Sequence, residues 1–88
     1  MEEIIEIDLG GKAVAVPRDV VSDLAASAAA RAGVSDRHRE LSLHLNRALE
    51  TGRVSLGRGS MLALVAVLEQ EQDGRFGPAA AELLRAVA

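Results

Sequence analysis

The chain contains no cysteine, no tryptophan and no tyrosine, and Phe76 is its single aromatic residue. Without cysteine, disulfides and thiolate metal sites are excluded. Without aromatics interleaved among its basic residues, the chain has no platform on which single-stranded bases would stack. Lysine is almost absent as well. Nine arginines stand against one lysine, a ratio that fits GC-rich codon usage and reflects source more than function. Nor is there a run of the ~20 apolar residues that a membrane-spanning helix needs. The acidic start Met1-Glu2-Glu3 lacks the basic region and apolar stretch of a secretory signal. The expectation is a soluble, cytoplasmic protein.

What the chain does have is Ala, Val and Leu in abundance, and one uninterrupted apolar run, Met61 to Leu68. As a helix this run is apolar around its whole circumference, and such a helix must be covered on every side. A chain of 88 residues buries only roughly 60–65% of its unfolded surface and has little else to wrap around it. The natural cover is a second copy. A homo-oligomer, most simply a dimer, or a complex with another protein is therefore expected, with Met61, Leu64, Val65, Val67 and Leu68 at the interface.

Two periodicities organise the rest. Glu3 to Leu9 alternates with Ile5, Ile7 and Leu9 on one face, and Lys12 to Val16 alternates again after Gly10-Gly11. Gly-Gly suits a two-residue hairpin turn because both positions tolerate positive φ. Closing a hairpin over 3–16 on it pairs Ile7 with Val14, Ile5 with Val16, Glu6 with Ala15 and Asp8 with Ala13. The apolar residues then fall on one face, as a correct register requires. Pro17 ends the second strand and opens a helix over 18–32, with Val20, Leu24, Ala28 and Ala32 recurring every four residues and Gly33 as its stop. Ser35 caps a helix over 36–51 with Leu41, Leu45, Ala48 and Leu49 as its stripe and Gly52 as its end. Residues 53–56 alternate and suit a short third strand. Ser60 caps an apolar helix over 61–73, and Gly77-Pro78 opens a last helix over 78–87 with Ala80, Leu83, Leu84 and Val87 on one side. Phe76, between two of these helices, is expected to plug the core. The sum is one α+β domain over 1–88: an N-terminal hairpin, a possible third strand and about four short helices.

Charge is unevenly spread. Residues 1–30 carry two basic against six acidic side chains, residues 31–60 six arginines against three acids, and residues 61–88 two arginines against four acids. Only the middle third invites an anionic partner, and Arg31, Arg37, Arg39, Arg47, Arg53 and Arg58 are the candidate patch. Asp36, Glu40 and Glu50 among them favour a salt-bridged, solvated helix face.

Ala32-Gly33-Val34-Ser35 resembles the turn of many bacterial DNA-binding modules. The wider segment, residues 13–50, resembles a ribbon-helix-helix regulator: a short strand, Pro17, a helix, Gly33-Val34-Ser35 and a second helix. That resemblance implies a dimer laying paired strands in the major groove, in the manner of repressors and antitoxins. The segment departs from the pattern where Arg39 takes the place of a core aliphatic and Leu41 follows two residues late. It departs again where Ala13 and Ala15 take the base-reading positions, because base edges are hydrogen-bonding surfaces.

Other chemistry finds less footing. Asp36, Glu40 and His44 recur every four residues and share a helix face, but a stable metal site needs three or four ligands and His38 points elsewhere. Gly57-Arg58-Gly59-Ser60 precedes a helix yet lacks the spacing and lysine of a phosphate-binding loop. No cofactor and no catalytic constellation is implied. The sequence reads as a non-enzymatic interaction or structural module, with the DNA-binding regulator as the alternative.

Overall fold

The computed structural model describes residues 3–33, 35–70 and 76–87. Two strands, β1 (Ile4–Leu9) and β2 (Lys12–Pro17), form the hairpin with the register expected from the alternation, including Ile7 opposite Val14 and Ile5 opposite Val16. Gly10 and Gly11 adopt φ of 67° and 98°, the pair of left-handed conformations that a tight hairpin turn of matching twist requires. The Asp8 carboxylate accepts a hydrogen bond of 2.8 Å from the Gly11 amide and steadies that turn.

Pro17 closes β2 in an extended conformation and serves as the N-cap of α1 (Arg18–Ala29). The helix is shorter than the 18–32 expected. Beyond Ala29 the bonds tighten to three-residue spacing, from the Arg31 amide to the Ala28 carbonyl and from Ala32 to Ala29. A tightened last turn satisfies the terminal carbonyls. Gly33 therefore lies past the helix end, and it is not among the glycines with positive φ.

The second helix, α2 (Asp36–Thr51), keeps both expected caps. The Ser35 hydroxyl accepts from the His38 amide, and Gly52, at φ 88°, returns its amide to the Ala48 carbonyl at 2.7 Å. From Gly52 the chain enters β3 (Arg53–Leu56), which lies parallel to β1, with Glu6 opposite Arg53 and Ile7 opposite Val54. Parallel neighbours need a long crossover, and α1 with α2 supplies it. The sheet is mixed, of three strands in the order β2-β1-β3.

α3 (Arg58–Gln70) starts earlier than the 61–73 expected. The Met61 amide bonds the Gly57 carbonyl, so Gly57 takes the capping position and Ser60 sits buried inside the first turn. Residues 71–73 of that expectation lie outside the described residues. α4 (Pro78–Val87) follows the expected bounds.

The sheet turns Ile5, Ile7, Leu9, Val16 and Leu56 inward against Val21 and Leu24 of α1, Leu41 and Leu45 of α2, Leu64 and Val67 of α3 and Leu83 of α4, with Phe76 among them. The α+β class and the hairpin stand as read. The cover for α3 is different. It packs against α1, α2, α4 and β3 of its own chain, so Leu64 and Val67 at 0% exposure and Leu68 at 4% are core residues of the single chain. The other three helices and β3 enclose most of this rod built from Ala, Val and Leu, because such small side chains allow close helix approach. Among the described residues no helix is long and apolar enough to cross a membrane.

Candidate functional site

The five residues expected at an interface divide by the helical period. Leu64, Val67 and Leu68 point into the core, whereas Met61 and Val65 are partly exposed. Met61 reaches the hairpin, its terminal methyl 4.0 Å from where a side chain on Gly10 would begin. The outward stripe of α3 runs through Arg58, Leu62, Val65, Ala66 and Glu69, spaced by three and four residues along one face. Leu62 is 47% exposed, and Val65 and Ala66 are partly exposed beside it. Leu62 and Ala66 had no place in the sequence reading, since a helix apolar all round does not show which side is out. The signal available was the pair of charged residues, Arg58 and Glu69, that bounds this stripe and no other.

The six arginines do not gather into one patch. The Arg37 side chain lies 3.7 Å from the Cβ position of Gly59, and Arg58 is the exposed first residue of α3. Arg39 is engaged by Asp36 one turn earlier in an exposed ion pair. Arg47 lies further along the solvent face of α2, and Arg31 is in the turn after α1. Arg53 sits on the open face of the sheet beside Glu6. Ser55 stands near Asp8 on the same face, its hydroxyl 3.4 Å from the carboxylate. That open face carries Glu6, Asp8, Ala13, Ala15, Arg53 and Ser55, a small and mixed surface.

On α2, Asp36 bonds Arg39, Glu40 is exposed, and His44 is partly buried. Among the described residues no three of His, Asp and Glu converge to hold a metal ion. Both ring nitrogens of His38 are shielded from solvent and have no hydrogen-bond partner among the described residues. The string Gly57-Arg58-Gly59-Ser60 is the cap and first turn of α3 and leaves no separate loop around which an anion could be wrapped.

In comparisons with known proteins, no family model, no curated protein and no solved structure matches the chain. The functional reading rests on its own surfaces.

Proposed function

We propose that this chain is a cytoplasmic, non-enzymatic interaction module that self-associates as a small homo-oligomer, most simply a dimer, through the outward stripe of α3. The observation that carries the reading is Leu62, 47% exposed on the same stripe as the partly exposed Val65 and Ala66. The chain spends Leu64, Val67 and Leu68 on its own core, and those three cannot also serve a partner. What remains outside is an apolar strip with a polar residue at either end, the pattern of an interface core with its rim. One helix stripe makes a small interface, so association is expected to be weak, roughly micromolar or weaker.

A second reading, a DNA-binding regulator on residues 13–50, requires β2 to present base-reading side chains. Its outward residues are Ala13 and Ala15, single methyl groups that offer base edges no hydrogen bond. No observation favours it over self-association.

Sedimentation equilibrium across a range of micromolar concentrations tests the proposal. Wild type is expected to show reversible self-association that disappears in Leu62→Glu with Val65→Glu, while the far-ultraviolet circular dichroism stays native. A wild type that remains a folded monomer at high micromolar concentration overturns the reading.

A further inference from the structure

A different surface carries a second kind of contact. We infer that the free edge of β2 and the flank of α4 form a groove that accepts an extended peptide segment of another protein as an additional strand. The segment bears a bulky apolar side chain about four residues from an acidic one.

The first wall is main chain. The two-glycine turn makes Leu9 and Lys12 a hydrogen-bonded pair, and an antiparallel ladder alternates from there. Lys12, Val14 and Val16 therefore direct their amides and carbonyls at β1, and Ala13 and Ala15 direct theirs away from the sheet. Among the described residues no hydrogen bond engages the outward groups of Ala13 or Ala15. Both side chains are single methyl groups, so Ala13 and Ala15 themselves put nothing bulky or charged over this part of the edge. The opposite edge is protected. β3 has only four residues, carries Arg53, and has its Arg53 carbonyl occupied by the Thr51 hydroxyl at 2.9 Å. Short length and charge guard that edge, whereas β2 carries its lysine and proline only at its two ends, with α4 set alongside.

The second wall is α4, which runs opposite to β2. Glu82, Arg85 and Ala86 face Lys12 to Ala15 across a hollow of about 500 Å³. Ala15 and Glu82 also border a second hollow of about 400 Å³, formed with Ile4, Pro17, Val20, Phe76 and Ala79. Sharing Ala15 and Glu82, the two hollows adjoin along β2, the one at the Pro17 end mainly apolar and the one at the Lys12 end bearing two cations, Lys12 and Arg85, against Glu82. Ile4, 50% exposed, stands at the apolar end.

These features select the occupant. Unpaired main-chain groups ask for an extended chain, and main-chain bonding supplies affinity while alternate side chains supply specificity. The distance from Lys12 to Pro17 is five residue steps, about 17 Å at ~3.3 Å per residue. Same-face residues lie an even number apart, so an apolar residue opposite Pro17 in the Phe76 hollow places an acidic side chain four residues along, about 13 Å away and opposite Ala13, in the hollow that Lys12 and Arg85 also line. Glu82, midway, repels an acid in the wrong register. A second copy pairing through its own β2 would bring its own α4 to the same place, and two helices would compete for the groove. A lone strand meets no such conflict.

The probe is an array of eight-residue Thr/Val peptides carrying one Leu and one Glu at every mutual spacing, followed by solution binding and amide exchange on the intact chain. Peptides with the four-residue spacing are expected to bind best, about tenfold tighter than those in which Lys replaces Glu. The Ala13 and Ala15 amides are expected to slow in exchange on binding. Lys12→Glu with Arg85→Glu, both at exposed positions, is expected to invert the preference toward the Lys peptides. Ala15→Pro removes an outward donor and is expected to weaken every peptide. Binding that is blind to spacing and charge, binding that leaves both amides unprotected, no binding by any peptide, or pairing of β2 with a second copy instead would each overturn the inference. Leu62→Glu with Val65→Glu leaves the groove untouched, so peptide binding is expected to survive it whatever becomes of self-association.

Discussion

The guanidinium of Arg18 donates a hydrogen bond of 2.7 Å to the main-chain carbonyl of Leu49. Leu49 lies in the last turn of α2, where carbonyls have no helical partner. The Ala48 carbonyl is taken by the Gly52 amide, and Arg18 takes the next one. The same nitrogen reaches the Glu3 carboxylate at 2.9 Å, and the Arg18 amide bonds the Glu3 carbonyl at 2.9 Å. One residue at the start of α1 thus ties the approach to β1 to the far end of α2.

Arg18→Met keeps the aliphatic stem and removes these side-chain bonds. Its side chain is 42% exposed, so solvent competes, and a loss of about 1 kcal/mol is expected rather than the larger cost of a buried charged bond. Glu3→Gln, removing only the exposed ion pair, is expected to cost about 0.5 kcal/mol or less. Urea midpoints of the two variants check the ranking, and equal losses would contradict the role given to Leu49.

His38 offers a gain. Its two ring nitrogens are out of water with no partner among the described residues, and a desolvated polar group left unpaired costs on the order of 1–3 kcal/mol. His38→Leu is expected to stabilise the fold by about 1 kcal/mol, read as a higher melting temperature by calorimetry. A lower melting temperature would mean that the ring is satisfied in solution.

Gly52 ends α2 at φ 88°, a conformation that costs an L-residue with a side chain roughly 1–2 kcal/mol. No described atom lies within 4 Å of the position an added methyl would take, so Gly52→Ala isolates the backbone term. A loss of about 1 kcal/mol in chemical denaturation is expected, with the native spectrum unchanged.

Leu62 and Leu64 should respond differently to truncation. Leu64→Ala empties a fully buried site and is expected to cost about 3 kcal/mol. Leu62→Ala, at 47% exposure, is expected to change stability by about 0.5 kcal/mol or less and to lower self-association instead. Comparable destabilisation by both would refute the orientation of α3.

The sequence alone determined whatever depends on neighbours along the chain. Alternation set the hairpin register down to Glu6 opposite Ala15, because one slip would have turned Ile5 and Ile7 outward. Gly10-Gly11, Ser35 and Gly52 marked turn and caps through conformations that few other residues adopt as readily. The end of α1 and the start of α3 escaped because helix termini trade three-residue for four-residue bonds at little cost.

Tertiary structure alone decided what depends on distant partners. Residues 53–56 alternate in the same way whichever strand they join, and only the crossover through α1 and α2 places β3 parallel to β1. The run from Met61 to Leu68 has no polar side of its own and only the flanking Arg58 and Glu69 mark its outer face, so the packing of α1, α2 and α4 chose Leu64 and Val67 for the core and left Leu62 outside. The open edge of β2 follows likewise from the sheet order. Periodicity carries local geometry, but which apolar surfaces meet is set by minimising exposed area over the whole chain, and that sum is long-range.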